Sequence, residues 1–329
     1  MEADNFLYPE HGVSDSGVLK YSLSPSYWSL LSQDVMKSFL AEVKTKGWQK
    51  AISTSSNPKI KALYLFTDSP SRADGTFYLS LNDQSRVLDL GSGWGSYTFA
   101  LSPRVKEVVA ADANLESLEF IALRARQDNC CNISAVQIEP LDFAKLPFVD
   151  GIFDAVIMNG VLEWVGSHLK KGDPLKIQQN CLKEVSRVLK PGGKIWLGTE
   201  NRFGLRYFLG APDDHLKYYS EQGIAYTTLV PRFIASLITK KKLGQPYRTY
   251  THSLAGLKRL LGKAGFSNLE FYYPDPDYRS VSPKIFPIIS SEVSANITKR
   301  QPVWFKVITF PIKRFVFCDS FFVAARREK

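Results

Sequence analysis

A Rossmann-like, doubly wound α/β sheet is the fold class that three observations on the 329-residue chain predict. Residues 86–90, Arg-Val-Leu-Asp-Leu, read as a short buried strand. Gly91, Gly93 and Gly95 follow at every second position, where the backbone must turn sharply and admit a ligand. A second apolar run, 107–111, ends in Asp112, 17 residues beyond Gly95. That is close to the spacing of about 20 that sets the end of a second strand beside the first loop. Leu182, Val185 and Leu189 then form a helical stripe that leads through the tight turn Lys190-Pro-Gly-Gly193 into the apolar run 194–199.

The glycine spacing selects among ligands. A pyrophosphate-binding fingerprint wants Gly-x-Gly-x-x-Gly, and Ser96 stands where its third glycine would fall, so NAD is disfavoured. Asp89, two residues before the first glycine, would repel a pyrophosphate but suits a ligand that presents an ammonium and a sulfonium, the charges of S-adenosylmethionine.

Ahead of the sheet, residues 26–46 carry Tyr27, Leu30, Leu31, Val35, Phe39 and Val43 at helical spacing. Turn formers at 53–58 break that pattern, and 59–66 is a second helix candidate. Past the glycines, 96–101 starts a helix, and Asn114 caps another that runs to Gln127. Residues 133–139 and 153–158 are further strands, and Asp173-Pro174 is a cap and first-turn pair. In the C-terminal part, 228–243 reads as a helix with Leu229, Phe233, Leu237 and Ile238 on one side and a Lys240-Lys-Lys242 end. Residues 253–264 form a helix stopped by Gly265, 266–273 a strand, and 316–326 the last strand.

Composition describes an ordinary globular protein, with 44% hydrophobic and 13% aromatic residues. The net charge of +10 is placed unevenly: residues 201–329 hold 21 Lys and Arg against 9 Asp and Glu. Such an excess suits nucleic acid, anionic lipid or a phosphorylated substrate and by itself chooses none of them. Cys130, Cys131, Cys181 and Cys318 show no metal-clip spacing and read as reduced thiols. The start lacks the basic flank and apolar run of a signal peptide, and no stretch approaches the roughly 18 apolar residues of a membrane span, so a cytoplasmic protein is expected.

From Asp89 and the glycines through Lys190-Pro-Gly-Gly193, residues 86–199 resemble the class I S-adenosylmethionine-dependent methyltransferases. The resemblance implies a seven-stranded sheet of order 3-2-1-4-5-7-6. Residues 1–80 would be a helical cap or lid and 81–329 the methyltransferase domain, with substrate-side insertions at about 200–250 and 274–315. It implies S-adenosylmethionine held by Asp89, Gly91, Ser92, Gly93 and Gly95, with Asp112 and Ala113 at the ribose. Asp142 and Phe143, four residues before Leu146-Pro-Phe, would meet the adenine, and Asn159 the methionine part. Many members carry a histidine near Glu163, and this chain departs from them there.

Residues 200–215 sit where acceptors of this fold bind, and they are similar to stretches in methyltransferases of sugar and surface-polysaccharide synthesis. The acceptor side is then read as Trp164, Arg202, Arg206 and Asp213. His215 is the first candidate for the base, with Glu163, His168 and Asp214 behind it. Asp213, Asp214 and His215 are too close in sequence to complete a metal site, and no metal is expected.

The expected activity is O-methylation of a sugar, nucleotide-sugar or lipid-linked glycan hydroxyl. Alternatives are O- or N-methylation of another natural product, RNA methylation, and a non-catalytic S-adenosylmethionine-binding module. The absence of an Asn/Asp-Pro-Pro-Tyr/Phe run after the fourth strand weighs against nucleic acid and amine acceptors. The mixed aromatic and basic residues of 274–315 are expected to pack on the domain, with covering the site, docking on a lipid surface such as the inner face of the membrane, or contacting a nucleic acid as the alternatives.

Overall fold

The computed structural model describes residues 12–22, 31–139, 145–167, 169, 171–218, 223–288, 302–303 and 317–328. The chain divides into two compact units, the first made of residues 1–158, 184–196 and 326–329 and the second of 159–183 and 197–325.

In order, the first unit begins with β1 (Leu19–Lys20), α1 (Gln33–Lys46), α2 (Trp48–Thr54) and α3 (Pro58–Thr67). There follow β2 (Arg86–Leu90), α4 (Ser96–Leu101), β3 (Glu107–Asp112), α5 (Leu115–Gln127) and β4 (Ile133–Gln137). The boundary between units cuts β5 (Phe153–Asn159), α6 (Pro174–Val188) and β6 (Leu189–Glu200). The rest comprises α7 (Leu205–Phe208), α8 (Arg232–Leu243), α9 (Leu254–Lys263), β7 (Phe266–Asp275), β8 (Lys284–Pro287) and β9 (Ser320–Arg327), which the boundary also cuts, before Arg326.

The strands order as β1-β4-β3-β2-β5-β6-β9-β7-β8. Without the edge strands β1 and β8 this is the expected 3-2-1-4-5-7-6 order. Parallel pairing holds β2 between β3 and β5, with Asp89 opposite Ala110 and Ile157. The apolar run Val87–Leu90 is buried on both faces, as a central parallel strand requires. β1, not anticipated, adds a parallel edge with Leu19 opposite Val136.

Several expected elements shift. The first helix begins at Gln33 and stops at Gly47, whose φ of 82° no side chain favours, and Trp48 then starts an unanticipated helix. β6 begins at Leu189, so Lys190-Pro-Gly-Gly193 lies inside the strand, with the φ of 80° at Gly192 marking the irregularity there. α8 begins after Pro231, later than the apolar pattern suggests. Phe233 and Leu237 on it are exposed, at 68% and 66%, because Ala235 and Ile238 are what pack against Leu216, Ile224 and Tyr247. β7 continues to Asp275 and pairs antiparallel with β8.

In the first unit α1, α2 and α3 bury their apolar faces on α5: Met36, Phe39, Val43, Trp48, Ile52 and Ile60 cluster with Phe120 and Leu123. Trp94, between the second and third glycines, joins the cluster, with ring centroids 5.4 Å from Phe39 and 4.8 Å from Phe120. The Arg124 guanidinium lies 4.0 Å from the Trp48 ring and 3.9 Å from the Phe99 ring. An N-terminal helix thus braces the glycine loop directly.

Candidate functional site

Within the first unit, β2 carries Asp89 into the interior and the chain then turns through Gly91, Gly93 and Gly95, with φ of 75°, 52° and 81°. A side chain at Gly95 would combine that left-handed backbone with a Cβ 2.9 Å from Phe99 Cε2 and 3.0 Å from Ile121 Cγ1. Four loop amides are already committed. Gly91 N and Ser92 N donate to Ala111 O at 2.7 and 3.2 Å, Gly93 N to Asp112 Oδ2 at 2.8 Å, and Gly95 N to Ser92 O at 2.9 Å. Turned to the protein's own acceptors, these four amides are not presented to a pyrophosphate.

The carboxylates here serve as acceptors. Thr98 Oγ1 donates to Asp89 Oδ2 at 2.6 Å. Burial, with the Asp112 charge adding, pushes the Asp89 carboxyl up to about 7, which the Thr98 hydrogen bond only partly offsets. Asp112 accepts Gly93 N on one oxygen and Asn114 N, at 2.9 Å, on the other. Burial raises its pKa as well. A carboxylate has about four lone-pair sites, so each oxygen keeps capacity for a ligand hydroxyl. Ala113 follows, buried, and Ser92 Oγ is buried without a partner among the described residues. Asp142, Phe143 and His168 lie outside the described residues.

Within the second unit a second cluster gathers around Glu200, at the end of β6. Its Oε2 accepts Tyr207 OH at 2.5 Å, and its Oε1 pairs with Arg206 Nη2 at 2.7 Å and Arg279 Nη1 at 3.3 Å. Arg206 Nη1 and Arg279 Nη1 also reach Asp214 Oδ2, at 3.2 and 3.0 Å. Asp213 Oδ1 lies 2.9 Å from His215 Nδ1, and its Oδ2 accepts Tyr247 OH at 2.7 Å. The Trp164 ring stands edge-on to His215 with centroids 4.6 Å apart. Glu163, fully buried, accepts Tyr278 OH at 2.9 Å and Thr199 Oγ1 at 3.2 Å.

Electrostatics set the protonation here. Burial by itself would lower the His215 pKa, but the Asp213 hydrogen bond and the charges of Glu200, Asp213 and Glu163 outweigh it and bring it to about 9. Burial raises Glu163, with His215 opposing. The fold therefore brings Glu163, Trp164, Arg206, Asp213, Asp214 and His215 together. Arg202 stands apart, donating from Nε to Thr228 O at 2.8 Å and from Nη2 to Val230 O at 2.7 Å. Asn159 ends β5 with its Oδ1 buried and without a partner among the described residues, and a methyl on Gly198 would collide with it. Tyr207, Tyr247, Tyr278 and Arg279 complete the cluster, and no spacing in the chain announces them.

Residues 88–197, from inside β2 to inside β6, match the methyltransferase domain family. This segment is a methyltransferase domain. The match covers about a third of the chain. Chondramide synthase of Chondromyces crocatus is 27% identical over 169 residues, 47% of this chain and 4% of that protein. An uncharacterized methyltransferase of Mycobacterium tuberculosis is 34% identical over 122 residues, 36% of this chain and 42% of that protein. The chain spans less than half the length of these curated relatives. Among solved structures, the YcgJ protein of Bacillus subtilis is 17% identical with a TM-score of 0.44, covering 79% of this chain and 98% of that one.

The cofactor of the methyltransferase domain is S-adenosylmethionine, and the residues present fit it. Four amides of the glycine loop turn to the protein's own acceptors, Asp89 supplies a carboxylate, Asp112 keeps acceptor capacity, and Ser92 Oγ has no partner among the described residues.

Proposed function

We propose that the protein methylates a small-molecule hydroxyl, that of a sugar, nucleotide-sugar or lipid-linked glycan, with His215 taking the hydroxyl proton. Asp89, Ser92, Gly93 and Asp112 would hold S-adenosylmethionine, which supplies a methyl group already activated on a positively charged sulfur. Most of the rate enhancement then comes from positioning, and what remains for the protein is to orient the acceptor oxygen and remove its proton.

The observation that carries the reading is the Asp213–His215 pair. Asp213 Oδ1 sits 2.9 Å from Nδ1, fixes the ring and leaves Nε2 without a partner among the described residues. Tyr247 fixes Asp213 in turn. This base, oriented by a carboxylate, is the arrangement that proton removal from a hydroxyl needs. Trp164 offers an apolar ring beside it, and Arg206 Nε is a buried donor without a partner among the described residues. An apolar face with several donors and acceptors around it suits a sugar ring. His215→Ala should leave S-adenosylmethionine affinity unchanged and lower turnover by about 10²–10⁴-fold, the usual contribution of a general base; unchanged turnover removes His215 from the reaction.

We also infer peripheral contact with an anionic membrane surface, as lipid-linked acceptors would require. It is supported by α8, where exposed Phe233 and Leu237 precede Lys240, Lys241 and Lys242.

A further inference from the structure

A cavity of about 300 Å³ opens within the second unit, away from the Glu200–His215 cluster in its lining. Four cationic side chains line it, Arg202, Arg232, Arg259 and Lys263, together with Ser253 and Gln179, and no Asp or Glu is among its described lining residues. Among the described residues none of the four is in an ion pair with a carboxylate. Arg202 and Arg232 spend donors on backbone carbonyls instead, Arg232 Nη2 on Thr251 O at 3.2 Å, with its guanidinium 3.6 Å from the centre of the Tyr250 ring. Burial and then the Arg202 charge lower the Arg232 pKa, and Asp173 opposes this less strongly. His252, buried on the same wall, is held neutral, its pKa lowered to about 3 by burial and by Arg232 and Arg202. The first turn of the ten-residue α9 reaches the rim through Ser253, Ala255 and Gly256, which adds the positive end of its dipole. Elsewhere in the unit Arg206 and Arg279 are paired with Glu200 and Asp214. A set of like charges converging on one concavity without counter-charge costs free energy unless an anion occupies it.

We propose that this cavity is a binding site for the phosphoryl groups of a soluble phosphorylated small molecule, a diphosphate in the first instance. Arg232 and Arg202 form its floor, and Arg259 and Lys263 its exposed rim. Planar guanidinium forks and an ammonium suit phosphate oxygens, and a concave site takes a soluble group in preference to the plane of a membrane. The site does not depend on the methyl-transfer reading.

Calorimetric titration with pyrophosphate at constant ionic strength tests it, using the full chain and the Arg259→Gln/Lys263→Gln double variant, whose replaced side chains are exposed. Pyrophosphate should bind the native chain, and the double variant should bind it at least about tenfold more weakly, the loss of one or two charge-assisted hydrogen bonds. S-adenosylmethionine affinity should be equal in both, which separates this site from the domain's cofactor. A nucleoside diphosphate should compete with pyrophosphate, whereas phosphatidic acid vesicles should not. Absence of pyrophosphate binding, equal affinity in the double variant, or competition by the vesicles alone would overturn the proposal.

Discussion

Two titrating residues, one in each unit, make the residue-scale predictions. Asp89 has its folded pKa raised from 3.8 to about 7, so the stability tied to its protonated form is present below about 3.8 and is lost as pH rises through 7. A cationic ligand favours the ionised form. S-adenosylmethionine affinity should therefore strengthen as pH rises from 6 to 8, approaching tenfold per pH unit on the acid side, and calorimetry across that range checks it. Asp112→Asn removes the charge while keeping an acceptor, and it should weaken S-adenosylmethionine binding by about tenfold or more; equal affinities would break the ribose assignment. His215 shifts stability in the same sense, at higher pH. Its folded pKa of about 9 lies above the unfolded 6.5, so the stability from the imidazolium among Asp213, Glu200 and Glu163 is full below about 6.5 and lost as pH rises through 9. Thermal stability should fall across pH 7 to 10, and His215→Gln should flatten that slope. If His215 is the base, turnover rises with pH toward 9, since only neutral imidazole accepts a proton.

At the scale of elements, α1 and α8 show what local patterns carry and what they omit. Phe39 packs on Trp94 inside the glycine loop, so Phe39→Ala should destabilise the fold by about 3–5 kcal/mol and also weaken S-adenosylmethionine binding. Chemical denaturation and calorimetry separate the two effects. The stability loss without the affinity loss would reduce α1 to core packing. For α8, Phe233→Ser/Leu237→Ser should weaken sedimentation with phosphatidylglycerol vesicles and leave the melting temperature unchanged; undiminished sedimentation would contradict membrane contact through this face. Helical spacing puts Phe233 and Leu237 on an apolar side, but it cannot say from which direction Leu216, Ile224 and Tyr247 arrive. The glycine loop, Asp112 and the Asn114 cap are legible because their determinants lie within a few residues or one βα unit. Ser117 N donating to Asn114 Oδ1 at 3.0 Å is such a local event.

At the scale of the whole molecule, legibility differs between the two units. The strand order from β4 to β7 follows from alternating apolar runs and helices, whereas the edge strands β1 and β8 are too short, at two and four residues, to leave a periodic signal. In the second unit Arg206, Asp213, Asp214 and His215 stand within one stretch and are legible as a charged run. Tyr247, Tyr278 and Arg279 join them only through tertiary packing. Arg202 belongs to the same run but lines a cavity that the others do not, a separation that sequence distance conceals. The most direct measurement of the central claim is transfer of labelled methyl from S-adenosylmethionine into extracts of the organism that encodes the protein, resolved into nucleotide-sugar, lipid, RNA, protein and small-metabolite pools. Label should concentrate in the sugar or lipid-linked pool with the native chain and disappear with His215→Ala. Label confined to RNA or protein, or no label in any pool from a chain that binds S-adenosylmethionine, would contradict it.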